Sequence, residues 1–301
     1  MDRCQGMRVF VRVAESGGFA GAARSLAMSP PAVTRAVAAL EDAIGARLFI
    51  RTTRSVKLTE AGARYLEDCR RILADIEEAE AAAAGSTATP TGTLTLTAPV
   101  QFGRLYVLPV LTEYLERHPA VSARALFLDR VANLVEEGVD VGVRIGHLAD
   151  SGLTALRVGS VRRVVCAAPA YLERHGVPEA PGDLRDHAVI GSTSLGALPD
   201  WRFGPERRTS VTLHPRLVCS TVDAALAAVL DGWGIARLLS YQVAAAVAEG
   251  RLRLLLAEHE EAPLPIHVVS PEGRRAPAKT RAFVDLAAAR LRADPRVNPA
   301  A

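Results

Sequence analysis

Cysteine is sparse in this chain of 301 residues: Cys4, Cys69, Cys166 and Cys219 stand far apart, with no CxxC pair. That spacing excludes a disulfide framework and a zinc site, and leaves reduced thiols. No apolar run approaches the roughly 20 residues that cross a bilayer. Met1-Asp2-Arg3-Cys4-Gln5-Gly6 has no apolar stretch behind its charge, so no export signal is legible; the expected compartment is the cytoplasm, with no membrane partner. The seven histidines form no metal-ligand spacing such as HExxH, and neither a GxSxG elbow nor a GxxxxGK(S/T) loop is present. No metal, catalytic residue or cofactor is called for. Cys166 and Cys219 sit in apolar strand-like runs, where a thiol belongs to the core more often than to a reaction.

What is present is ordinary for a globular protein: 49% hydrophobic and 23% charged residues, enough for about two domains with proper cores. The net charge of +3 is unevenly spread. Residues 1–59 carry nine Arg or Lys against four acids, a balance of +5, whereas residues 60–84 carry three Arg against seven acids, a balance of −4. A basic head ahead of an acidic stretch points to a head that meets phosphates.

Within the head, Met7, Phe10, Val11 and Ala14 recur at helical spacing, and Gly17-Gly18 stops that helix. Ala20, Ala23 and Leu26 line a short second helix. Ser29 then caps a third, with Pro30 at its first position, where a missing N–H costs nothing. Val33, Val37, Leu40 and Ile44 form its buried stripe, and Pro31, Thr34 and Arg35 its exposed start. Helix, tight turn and helix with a basic exposed start is the geometry that enters a DNA major groove. After Gly45, two short strand-like runs flank a polar tip, with Phe49 and Leu58 as anchors. Arg51, Thr52, Thr53, Arg54 and Lys57 stay exposed, as a wing that reaches phosphate or minor groove.

The run from Met7 to Gly62 resembles the winged helix-turn-helix of LysR-type transcriptional regulators. The likeness is carried by Ala22-Ala23-Arg24-Ser25-Leu26, Ser29-Pro30-Pro31-Ala32-Val33-Thr34-Arg35-Ala36-Val37, Leu40-Glu41, Gly45-Ala46-Arg47-Leu48-Phe49, Arg51-Thr52-Thr53-Arg54 and Leu58-Thr59-Glu60-Ala61-Gly62. It implies a double-stranded DNA operator as partner and DNA contacts from Ser29, Pro30, Pro31, Thr34, Arg35, Arg51, Thr52, Thr53 and Arg54. Many members carry Gln where this chain has Pro30, which shifts base reading to Pro31, Thr34 and Arg35.

Thr59 caps a helix opening on Glu60, and Tyr65, Cys69, Ile72, Ile76, Ala79 and Ala83 follow at alternating steps of four and three, widened by Leu66 and Leu73. This stripe reads either as a helix packed on its own domain or as a dimer seam. Its place between a small head and a linker favours the seam through Tyr65, Cys69, Ile72 and Ile76. The resemblance implies the same homodimer, and the tetramers that the family often forms.

Residues 85–92 read as a hinge, and from Thr93 strands and helices alternate in β-α-β-α-β order, which implies a parallel sheet covered by helices. A helix is expected from about Gly103 to His118, a short one ending at Glu137, and a strand over 139–145. Lobe I spans about 93–161 and 266–301, and lobe II about 162–265. Two such lobes leave a cleft that holds small ligands, often anions at helix N-termini. Val135–Gly146, Pro169-Ala170-Tyr171-Leu172, Gly232-Trp233-Gly234-Ile235-Ala236 and Gly273-Arg274-Arg275 extend the resemblance to the family's effector domain, periplasmic-binding-protein-like in shape. It implies effector contacts at Pro99, Val100, Gln101, Arg144, Gly146, Thr221, Val222 and Asp223. An ion pair from Arg144 to Asp140 or Asp129 is the alternative for that residue. The expected architecture is thus α + α/β: head 1–59, dimerisation helix 60–84, hinge 85–92 and effector-binding domain 93–301. The competing reading is a small-molecule-binding protein or enzyme that uses the cleft without regulating DNA.

Overall fold

The computed structural model describes residues 2–51, 56–83, 89–148, 151–193, 200–271, 273 and 276–298. The chain divides into two compact units, residues 1–92 with 277–279, and 93–276 with 280–301.

The first unit contains α1 (Arg3–Glu15), α2 (Phe19–Ser25), α3 (Pro30–Ile44), strands β1 (Phe49–Arg51) and β2 (Val56–Leu58), and α4 (Glu60–Ala83). Val9, Phe10, Val13, Val33, Val37 and Leu48 form its core, with Phe10 touching the rings of Phe49 and Tyr65 at 5.2 and 5.6 Å between centroids. The second helix turns a different face inward than its alanine spacing suggested: Ala22 and Ala23 are buried and Ala20 is exposed. Ile44 and Val11 are only partly covered, while Ala36 takes up the inner stripe. Gly62 meets the Leu48 carbonyl so closely that an added Cβ would stand 2.0 Å from its oxygen, so a side chain there would drive α4 off the wing.

The second unit holds β3 (Gly92–Ala98), α5 (Val100–Phe102), a π turn over Gly103–Val107, α6 (Leu108–Arg117), β4 (Val121–Phe127), β5 (Val141–Ile145), β6 (Thr154–Val161), β7 (Arg163–Ala167), α7 (Pro169–His175), β8 (Val189–Ser192), β9 (Asp200–Phe203), β10 (Thr209–Thr212), β11 (Leu217–Cys219), α8 (Val222–Leu230), β12 (Ile235–Leu239), α9 (Ser240–Ala248), β13 (Arg253–Leu255), β14 (Leu264–Ser270) and α10 (Ala278–Ala293). Two five-stranded sheets result, ordered β4-β3-β5-β14-β6 and β11-β8-β12-β7-β13. Neither is purely parallel. β3 and β5 run parallel as expected, but β14 returns from the second sheet and pairs antiparallel with both β5 and β6. The chain crosses between sheets twice, at Arg162 between β6 and β7, and between β13 and β14.

Helical structure begins at Val100, three residues ahead of the expected start. The expected short helix ending at Glu137 is a single hydrogen-bonded turn, closed by Glu137 N to Asn133 O at 2.9 Å and Val139 N to Leu134 O at 2.8 Å. Among the described residues no helix is long and apolar enough to cross a membrane.

Candidate functional site

Two places in the chain gather the residues singled out above, one in each unit. In the first, the Ser29 hydroxyl accepts from Ala32 N and starts α3, with Pro30 at its head. Val33, Ala36, Val37 and Leu40 turn inward, which leaves Ser29, Pro30, Pro31 and Arg35 exposed together. Thr34 is half-buried, its hydroxyl donating to Pro30 O at 3.1 Å. The helix start therefore presents a polar, cationic edge with its backbone fixed by proline, the shape that base-edge recognition requires. The hairpin pairs Phe49 with Leu58 and Ile50 with Lys57; Phe49 is buried, while Lys57 and Ile50 face solvent. Arg51 ends β1, and Thr52, Thr53 and Arg54 lie outside the described residues.

The hairpin's entry depends on a carboxylate that helical patterning did not single out. Glu41 is 3% exposed; its Oε1 accepts from Leu48 N at 2.7 Å and Phe49 N at 3.1 Å, and Arg47 Nη1 reaches Oε2 at 3.2 Å. An acid at a helix position reads as solvated from sequence, since the backbone donors it satisfies lie beyond Gly45. On the other side, the Thr59 hydroxyl donates to Arg47 O and accepts from Gly62 N, which ties the end of the wing to α4.

The stripe on α4 is divided. Cys69 is wholly buried in the head core beside Leu66 and Leu73, with Tyr65 and Ile72 packed against the same cluster. Cys69 is therefore corrected from a seam residue to an intrachain core residue, because the face of α4 that carries it rests on α1. Burial raises its thiol pKa to about 11 and that of Tyr65 to about 12. Ile76, lower on the helix, is half-exposed.

In the second unit, Pro99 precedes the helical segment that follows β3, and Val100 N donates to Asp129 Oδ1 at 3.0 Å. This helix start is thus met by the chain's own carboxylate. Gln101 is 6% exposed and reaches across to the other sheet's helix, its Nε2 donating to Asp223 Oδ1 at 3.2 Å. Asp223 stands in the first turn of α8, whose cap is Thr221, with Oγ1 accepting from Ala224 N; Val222 between them is buried. Gln101 Oε1 is buried without a hydrogen-bond partner among the described residues. Its orientation is fixed by chemistry, since only the amide nitrogen can face the carboxylate. Tyr241, which sequence reasoning passed over, packs edge-on against Phe102 and Tyr106 at 5.3 and 5.7 Å; burial raises its phenol pKa, and Asp129 and Asp223 add to the shift.

Arg144 is not drawn into this group. It donates to Ala132 O at 2.8 Å, in place of either expected aspartate, and lines a cavity of about 450 Å³ walled by Val131, Val135, Ser151 and Pro271. Gly146 follows it with a left-handed φ of +118°.

Comparison with known proteins places both units. Residues 4–63 match the family profile described as bacterial regulatory helix-turn-helix protein, lysR family, and residues 87–292 match LysR substrate binding domain. The HTH-type transcriptional regulator CrgA of Neisseria meningitidis serogroup C (strain 8013) is 34% identical over 280 residues, covering 93% of this chain and 94% of its own. The HTH-type transcriptional activator AaeR of Escherichia coli (strain K12) is 31% identical over 289 residues, covering 95% and 93%. The solved structure of CrgA, a LysR-type transcriptional regulator from Neisseria meningitidis, matches with a TM-score of 0.61 and 33% identity, covering 95% of this chain and 98% of that one. With a winged head, a capped groove-sized helix and a two-sheet domain that matches along almost its whole length, this chain belongs to the LysR family of transcriptional regulators.

Proposed function

We propose that the chain is a cytoplasmic, non-enzymatic regulator in which a small molecule, bound between the two sheets of the second unit, controls how the heads hold an operator. The observation that carries this reading is the buried Oε1 of Gln101, without a partner among the described residues, beside a hydrogen bond that joins the two lobes. A buried acceptor left unmade costs about 1–3 kcal/mol, so the site favours a ligand that brings an N–H or O–H to it. Such a ligand acts by binding one lobe arrangement better than another. On the DNA side, Pro31, Thr34 and Arg35 read bases and Ser29 and Pro30 fix the helix, while Arg51, Thr52, Thr53 and Arg54 hold phosphate or minor groove. Two subunits associate through the lower part of α4, with Ile76 in the seam, and pairs of dimers form tetramers.

The test is a metabolite screen by thermal shift on the full chain, since a ligand of the folded state raises its melting temperature by mass action. A hit is then added to a promoter-binding assay. A ligand that stabilises the wild type but not Gln101→Ala, and that shifts promoter affinity, is expected. Ligands that bind without any effect on DNA binding would refute effector control of the heads.

A further inference from the structure

A second cavity lies where the chain crosses between the sheets, lined by neither Gln101 nor Arg144. Its volume is about 320 Å³, at the lower edge of the ~300–1,000 Å³ that small-molecule sites occupy. The floor is aliphatic, from Val243, Ala244 and Val247 on α9 and Pro263 on the return crossover. Two arginines, Arg162 and Arg296, line it, and among the described residues no Asp or Glu does. Each guanidinium is held from one side: Arg162 donates to Glu260 through Nη1 alone, and Arg296 to Asp294 through Nε and Nη2. Among the described residues Nε and Nη2 of Arg162 and Nη1 of Arg296 are thus left for another acceptor, since a guanidinium carries five N–H donors.

We propose that this cavity is a second ligand site that takes a small monocarboxylate with an aliphatic body. The chain would lie on the α9 floor, and the carboxylate would accept from the free nitrogens of Arg162 and Arg296. Charge-assisted hydrogen bonds of this kind are short and strong, and the apolar floor supplies the rest.

The position gives the site a regulatory consequence. Arg162 is the first crossover, and its backbone is tied to the start of α9: Ser240 N donates to Arg162 O at 2.8 Å, and Arg162 N to the Ser240 hydroxyl at 3.1 Å. Tyr241 lines the cavity and also packs on Phe102, the neighbour of Gln101, while Arg296 stands 5.0 Å over the Tyr106 ring of the same aromatic cluster. An anion that draws Arg162 and Arg296 together acts on the first crossover, on the return crossover through Glu260, and on the aromatic cluster that contains Phe102, next to Gln101.

The experiment is calorimetric titration of the full chain with octanoate, and with 1-octanol as its uncharged counterpart. Octanoate should bind saturably, one per chain. Ala244→Trp, which fills the cavity from an exposed position, should abolish that binding with the melting temperature kept; Val247→Phe serves as a second filling variant. Arg296→Gln should weaken octanoate about tenfold and leave octanol unchanged, the size expected for one charge-assisted hydrogen bond. Absence of saturable octanoate binding would overturn the site. So would binding that survives both filling variants, or that Gln101→Ala alone abolishes, which would place the probe between the sheets. An equal loss for octanoate and octanol in Arg296→Gln would overturn the anion assignment.

Discussion

Replacing Glu41 by alanine removes the acceptor of two buried backbone N–H groups, Leu48 N and Phe49 N, and the partner of Arg47. Hydrogen bonds to a charged group contribute about 1.5–3 kcal/mol each, and a donor left buried costs about 1–3 kcal/mol. Both donors lie in the short segment that leads into β1, so neither can turn to water without unmaking the hairpin. A loss of about 3–5 kcal/mol is expected for Glu41→Ala, a large share of a domain's ~5–15 kcal/mol. Glu41→Gln keeps an oxygen for both donors and should lose only about 1–2 kcal/mol. The two tryptophans, Trp201 and Trp233, both lie in the second unit, so their fluorescence reports its unfolding alone. Urea unfolding followed by that fluorescence should be unchanged in Glu41→Ala. Hydrogen exchange at Leu48 and Phe49 should accelerate strongly, and promoter binding should weaken with it. Exchange as slow as in the wild type would refute the anchoring role.

Further outcomes test other parts of the account. Gly62→Ala puts a methyl 2.0 Å from a backbone oxygen and should cost the head about 3 kcal/mol or more, read as a fall in its helical melting temperature. Ile76→Lys should dissociate the dimer in light scattering with the head still folded, whereas Cys69→Lys should unfold the head, since that side chain has no route to solvent. His187, next to the Tyr171 hydroxyl at 3.2 Å, has its pKa lowered from 6.5, first by burial and then by nearby His175; burial also lowers that of His267. The neutral ring is the folded form, so the unfolded chain takes up protons first. Stability of the second unit should therefore decline as pH falls from 6.5 through the lowered folded values, and His187→Gln should flatten that decline in denaturation midpoints.

The head was legible because its signals are local. Ser29 with Pro30 fixes a helix start, and Phe49 and Leu58, the apolar ends of two short strand-like runs, pair across the hairpin. The α4 stripe was harder, since its spacing serves packing on α1 and packing on a second copy equally well. Only Cys69's complete burial assigns the upper half to the chain itself. Long-range partners left no trace in the sequence: Gln101 meets Asp223, and Glu41 meets amides beyond the end of its own helix. The antiparallel return of β14 was hidden for the same reason, because strand direction is set by where the chain re-enters a sheet.

The most direct measurement is affinity of the purified full chain for a duplex selected from a randomised pool, taken across a salt series for wild type and Arg35→Ala. The account predicts a steep fall of affinity with salt, with a logarithmic slope of roughly −0.9 for each phosphate neutralised. It also predicts a loss of about 1–3 kcal/mol in Arg35→Ala, confined to the selected sequence. A chain that selects no duplex in dilute buffer, or holds one with an affinity indifferent to salt, would contradict it.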